Sequence, residues 1–187
     1  LVISIVAVSL LLLGGVGAAV WSYVDVHLDH GAPQRADSTK PRCKLVGADI
    51  LHKMRTSNPK ESGYSEYDDA TWKTTACSWG MTKGLDGEGM RELDVVFTDY
   101  KPLDFRPSAE AARSWYEAHR GSPVELAGVD EASEQSEPGS LCFLKGDSVV
   151  EIIYRGRDVD WFITVAADRQ QLRALAISLA TDLAGKL

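Results

Sequence analysis

The hydrophobic pattern changes period several times along the chain, and each period predicts a different element. Leu1 to Val24 is apolar throughout, broken only by Ser4, Ser9, Ser22 and the Gly14, Gly15, Gly17 cluster. A helix of that length spans ~36 Å, enough to cross a ~30 Å hydrocarbon core with some tilt. Trp21 and Tyr23 close the run, where aromatic rings favour the lipid–water interface. Residues 1–24 are therefore expected to form a transmembrane anchor. A cleaved signal peptide competes with this reading, because Val16-Gly17-Ala18 and Gly17-Ala18-Ala19 have the small residues of a cleavage site. Signal-peptide apolar regions usually run to only ~7–15 residues, which favours the anchor. A buried core helix is the third option. No Cys ends the run to carry a lipid.

Residues 25–42 have no apolar period and contain Gly31, Pro33 and Pro41, so they read as a polar stalk. From Cys43 to Leu187 the patterns of a folded domain appear. Leu45, Ala48, Leu51 and Met54 fall at three-residue spacing and predict a short helix over Cys43 to Met54. Lys60 to Asp69 is polar and reads as a loop. Trp72 to Thr82 and Arg91 to Tyr100 read as strands, the second with Leu93, Val95 and Phe97 on one face. They are expected to pair across the glycine-rich run Lys83 to Gly89.

Pro107-Ser108 opens a second helix, with Ser108 as its cap and Glu110 in its first turn. Its expected buried stripe is Ala111, Ala112, Trp115 and Ala118 or His119. Glu125 to Gly139 is acidic and reads as mostly irregular. Leu141 to Leu144 and Val149 to Tyr154 form a hairpin around Gly146-Asp147. Both faces of that hairpin are largely apolar, which places it centrally in a sheet. Val159 to Val165 suits a strand or the lead into a last helix. That helix runs from Asp168 to Ala184, with Leu172, Leu175, Ala176, Leu179 and Leu183 on one face. The expected fold is α+β: an antiparallel sheet of about four to five strands with about three helices on one side.

Charge adds location. Residues 1–24 carry no Asp, Glu, Lys or Arg, so the net charge of −7 belongs to the remainder of the chain. An acidic domain repels phosphate backbones, which argues against nucleic acid as a partner. Asp25 to Gln34 contains two Asp and no Lys or Arg, the reverse of a cytoplasmic flank. The expected localisation is the cell membrane, single-pass, with the C-terminal domain outside.

Outside a membrane thiols tend to oxidise. Cys43, Cys77 and Cys142 allow one intramolecular bridge in three pairings, or none if all three pack in the core. The pairing adopted is Cys43–Cys77, which would pin the first helix to the first strand and close a loop of about 34 residues.

The order of these motifs resembles a large actinobacterial group of exported, membrane-anchored domains of unknown function. Cys43-Lys44-Leu45-Val46 is followed about thirty residues on by Cys77-Ser78-Trp79, then by a middle helix, Gly128-Val129-Asp130-Glu131-Ala132, the turn Lys145-Gly146-Asp147-Ser148 and a terminal helix. The resemblance covers residues 43–187. It implies an extracytoplasmic location and the Cys43–Cys77 bridge. A more distant similarity to the extracellular sensor domain of a mycobacterial Ser/Thr kinase implies ligand sensing. The chain departs from the pattern in its extra Cys142 and its lack of a lipid-acceptor Cys, and no catalytic residues carry over.

The residues themselves offer little catalytic chemistry. HExxH, GxSxG and Walker patterns do not occur. Gly84 to Gly89 lies between two strands and opens no helix, so it reads as a turn and not a phosphate cradle. His27 and His30 with Asp25 and Asp29 read as a solvated turn ahead of a metal site. The run Glu125, Asp130, Glu131, Glu134, Glu137 lacks calcium-loop spacing and reads as a solvated loop. His52 and His119 read as partly exposed helix residues.

The aromatic residues are more informative. Trp72, Trp79, Trp115, Tyr116, Tyr154, Trp161 and Phe162 are many for one domain, and most should fill the core. Trp79, Trp115 and Trp161 are the candidates to line an apolar cleft. The sequence thus favours a non-catalytic binding or sensor-like module for a small apolar ligand or an envelope protein, without cofactor or metal. A scaffolding role is the alternative, and an envelope hydrolase a more remote one.

Overall fold

A computed structural model of the chain describes Gly17 and residues 40–60, 65–80, 91–160 and 163–187. The expected anchor, apart from Gly17, the stalk up to residue 39, and the glycine-rich run Lys83 to Gly89 lie outside the described residues. So does Trp161. No helix among the described residues is long and apolar enough to cross a membrane.

The chain enters through a 3₁₀ turn, Arg42–Leu45, and α1, Ala48–Lys53. Nine strands follow among the described residues: β1 Asn58–Pro59, β2 Ser65–Asp68, β3 Trp72–Gly80, β4 Arg91–Tyr100, β5 Ser122–Pro123, β6 Glu131–Glu134, β7 Ser140–Lys145, β8 Ser148–Asp160 and β9 Ile163–Ala166. α2, Ser108–His119, separates β4 from β5, and α3, Arg169–Ala184, ends the fold. All strand pairings are antiparallel. The path runs β1-β3-β4-β8-β7-β6-β5, with β2 also on β3 and β9 on β8. The antiparallel sheet and three helices match expectation, but the sheet has nine strands instead of four or five.

The two long hairpins sit at the centre of this path. β3 pairs with β4 from Trp72↔Tyr100 to Gly80↔Glu92, and β4 with β8 from Arg91↔Gly156 to Asp99↔Ser148. β7 and β8 turn at Gly146-Asp147, where Gly146 takes a positive φ of 59° that a side chain would resist. The extra strands are short pairings at the edges and at the end of β8. β1 and β5 are two-residue pairings that include Pro59 and Pro123, residues tolerated only at edges.

Register assigns every side chain to one of two faces. On the first, Thr75, Cys77 and Trp79 align with Phe97, Val95 and Leu93. Tyr154, Ile152 and Val150 of β8 continue the layer, with Leu141 and Phe143 of β7. All are buried beneath α1 and α3, which contribute Ile50, Leu172, Ala176, Leu179 and Leu183. Asp168 caps α3 by accepting from the Gln171 amide at 2.9 Å.

On the second face α2 packs through Ala112 and Tyr116 against Cys142, Leu144 and Val149. The helices thus lie on both sides of the sheet, not one. The buried stripe of α2 is also rotated from that expected: Ala112 and Tyr116 point inward, Ala111 and Trp115 are half-buried, and Ala118 and His119 are exposed. Pro107 occupies the cap position, so Ser108 begins the helix and makes no capping hydrogen bond.

Cys43 and Cys77 form a disulfide with Cα atoms 5.7 Å apart. It fastens the 3₁₀ turn to the middle of β3 on the α1/α3 face. Cys142 is a free, buried thiol.

Candidate functional site

The two faces differ in coverage, and the site is built where coverage ends. β4 alternates from Arg91 to Thr98, with first-face Arg91, Leu93, Val95 and Phe97 buried and second-face Glu92, Asp94, Val96 and Thr98 half-buried, and then Asp99 and Tyr100 are both half-buried. β7 is buried on both faces over Ser140 to Leu144, because α2 lies above it. The second face is therefore closed over β7 and the start of β8, and half-open over the rest of β8, β4 and β3.

Glu151 stands at that boundary. It occupies a second-face position of β8, directly opposite Val96 on one side and Cys142 on the other. Its neighbours along the same face of β8 are Val149 and Ile153. Among the described residues neither a hydrogen bond nor an ion pair reaches its carboxyl. Burial pushes that carboxyl above its ordinary range, and His119 only partly offsets the shift. A carboxyl held toward its neutral form is both a donor and an acceptor, whereas an ionised one only accepts.

Aromatic residues flank this group. Trp115 and Tyr100 both pack against the Cys142–Val149 cluster. Trp115 stacks on His119, with ring centroids 4.2 Å apart and planes at 17°. His119 Nδ1 donates to the Trp115 carbonyl at 2.7 Å, which fixes the ring against the helix end. The Tyr100 phenol is pushed up to about 12, by burial first and by the Glu151 charge second. Cys142 is likewise pushed up to about 12 by burial and then by Glu151, so its thiol stays protonated and unreactive.

Beyond Tyr100 the aromatic surface continues across the sheet. Tyr100 pairs with Trp72, and Tyr67 pairs with Thr74, one position along the same face. Trp72 and Tyr67 are exposed. Next to this row lies a polar ladder, where Thr74 and Thr98 hydroxyls meet at 3.4 Å and Ser78 donates to Asp94.

Of the three candidate tryptophans, Trp115 belongs to this surface and Trp161 lies outside the described residues. Trp79 is buried in the core on the opposite face, beneath α1 and α3. Glu151 and Tyr100 were not expected at a site. The signal for Glu151 was present: a lone carboxylate inside Val149-Val150-Glu151-Ile152-Ile153.

The acidic run is not a free loop. Glu131 pairs with Arg113 and Arg120, Glu134 pairs with Arg173, and Asp130 accepts from the Gly146 amide at 2.7 Å. Among the described residues no group of three or more His, Cys, Asp or Glu could hold a metal ion. A separate cleft of about 370 Å³ near the chain entry is lined by Arg42, Glu66, Lys73, Asp99 and Lys186. Ion pairs run through it, with Arg42 on Asp99 and Lys73 on Glu66.

No family model, curated protein or solved structure matches this chain.

Proposed function

We propose that the folded domain is a non-catalytic binding module, held outside the cell by the apolar segment at residues 1–24, and that it takes a small amphipathic ligand beside α2. The observation that carries this reading is Glu151. A half-buried carboxyl without a partner among Val96, Val149 and Ile153 costs stability, and polar groups in such places are usually satisfied. A ligand hydroxyl, amide or carbonyl would supply the missing partner, while Trp115 and Tyr100 would cover its apolar part. The tether and the resemblance to exported sensor domains give the same direction, since a tethered sensor needs only differential affinity between two conformations.

The test is a thermal-shift and tryptophan-fluorescence screen of the purified chain against envelope lipids and glycans. A binder at a hundredfold excess over its Kd should stabilise by about 2.7 kcal/mol. Its effect should be weakened in Glu151→Ala and should lose most of its fluorescence change in Trp115→Phe. Turnover of a screened compound, abolished by Glu151→Gln or His119→Ala, would replace this reading with an envelope hydrolase.

A second reading has an observation of its own. Phe105, 85% exposed, stands at the tip of the tight turn Leu103 to Arg106, close in sequence to α2. Together with exposed Trp72 and Tyr67 it favours a protein-interaction or scaffolding role in the envelope. Loss of a cross-linked envelope partner in Phe105→Ser, with no small-molecule shift in the wild type, would favour that role.

A further inference from the structure

The register row that carries Glu151 runs on through Cys142 and Ser133 to Pro123. α2 packs over Cys142, so Glu151 stands on one flank of the helix and Ser133 on the other. On the Ser133 flank a pocket of about 220 Å³ opens between α2 and the β5–β6 edge. Tyr116 and Ser133 line it from below, Arg120 and Glu131 at the side, and Gly121 and Pro123 from the segment after the helix. A Cβ at Gly121 would meet the Glu134 carbonyl oxygen at 2.0 Å, so only glycine lets that segment pass this close to β6 and wall the pocket.

The chemistry inside is that of two hydroxyls. Ser133 is 1% exposed, and its Oγ is buried without a partner at hydrogen-bond distance. Tyr116 is also 1% exposed. Burial pushes its phenol above the ordinary range, and the nearby Ser133 hydroxyl offsets part of that rise. Among the described residues the Tyr116 hydroxyl has no other hydrogen-bonding neighbour. Two hydroxyls carry two hydrogens, and a bond between them uses one, so at least one donor and several lone pairs stay unmet. Buried polar groups in native proteins are usually satisfied. The charges at the rim engage each other, with Arg113 and Arg120 both on Glu131.

We propose that this pocket binds one small uncharged polyhydroxyl ring, a sugar or cyclitol unit, whose hydroxyls donate to and accept from Ser133 and Tyr116 while its carbon face lies on Pro123. The match is of kind: hydroxyls that both give and take hydrogen bonds suit partners that do the same, whereas a carboxylate only accepts and an ammonium only donates. The size agrees, since sites for drug-sized ligands run to ~300–1,000 Å³ and one water occupies ~30 Å³. The inference is independent of the amphipathic ligand assigned to Glu151, because the two sites lie on opposite flanks of α2.

Saturation-transfer NMR on the purified chain tests it, with myo-inositol and glucose as probes and acetate and trimethylammonium as charged controls. The polyols should give a saturable signal with a Kd in the millimolar range, as befits so few atoms, and the controls none. Ser133→Ala and Tyr116→Phe should each weaken polyol binding about two- to tenfold, the worth of one hydrogen bond. Ser133→Ala should melt no lower than wild type, because the hydroxyl it removes has no firm partner inside the chain. Should either variant fail to fold, wild-type crystals soaked in myo-inositol give the answer directly, with a ring expected within hydrogen-bond distance of Ser133 Oγ. Water alone at the pocket floor, equal signals from the charged controls, polyol signals unchanged in both variants, or a ring seen in the crystal without saturation in solution (binding at crystal concentration only) would each overturn the proposal.

Discussion

Removing the Cys43–Cys77 bridge should cost the fold a large part of its stability, and the amount follows from its place in the chain. The two cysteines are 34 residues apart in sequence. By chain entropy, closing a loop of that size in the unfolded ensemble is worth about 3.5–4 kcal/mol. The folded part comprises roughly 145 residues, for which 1 kcal/mol corresponds to about 3 °C in melting temperature. The double variant Cys43→Ala, Cys77→Ala should therefore melt about 10 °C lower. Both sulfurs are buried, so the variant also leaves small voids and will overstate the effect. Unfolding the wild type in reductant and refolding it reduced keeps the sulfurs and isolates the constraint. The constraint acts on the unfolded chain, so the denaturant m-value should rise when the bridge is lost, as a less compact ensemble exposes more surface. Calorimetry and urea titration measure both quantities, and a non-reducing peptide map should link the two cysteines. A reduced protein that melts within about 3 °C of the oxidised one, with unchanged m, would refute the reasoning.

Glu151→Gln should stabilise the chain at neutral pH and make no difference near pH 4. Burial raises the folded-state pKa of Glu151, so the native state binds the extra proton and wild-type stability falls as pH rises through that window; the variant's melting curve should lack this fall, and a variant less stable than wild type at pH 7 would contradict it. Tyr154→Phe should lower stability by about 1–3 kcal/mol, because it strands the Met54 carbonyl inside the core; a loss below about 0.5 kcal/mol in urea titration would show that the carbonyl finds water instead.

The long elements were legible because burial writes a clear period into them. β4 alternates from Arg91 to Thr98, and α3 carries four leucines at helical spacing. The missed strands carry no such signal. Ser65–Asp68 is exposed at every position, so β2 is held by its backbone ladder and by surface ion pairs from Glu66 and Asp68, and it carries no apolar period. Glu131–Glu134 reads as part of an acidic loop because its charges face arginines of α2, Arg120 and α3 across short ion pairs. The side on which each helix docks was half-legible. The apolar run Leu141 to Leu144 required cover on both faces, while the alternation of β4 allowed cover on only one. Together these place one helix over β7 on the face opposite α3. Reading the runs only as a sign of central position missed that consequence. The tryptophans misled for a related reason: ring size marks burial as readily as binding, and Trp79 is core.

The half-open face follows from the dimensions of the parts. Seven strand positions in the main path leave six gaps of ~4.8 Å, so the sheet is ~29 Å across. A helix with its side chains is ~10 Å wide and covers about two strands. α3 and α1, with the 3₁₀ turn held by the disulfide, share the first face and bury it from β3 to β7. The second face receives α2, whose twelve residues span ~18 Å. One such helix can close β7 and the near end of β8, and those strands supply the buried cluster beneath it, Cys142, Leu144 and Val149. A charge placed under the helix would be sealed from any partner, and one placed well beyond it would be solvated. Glu151 lies one alternation past Val149, at the helix margin, where a carboxyl is desolvated enough to need a partner and open enough to receive one from outside the chain.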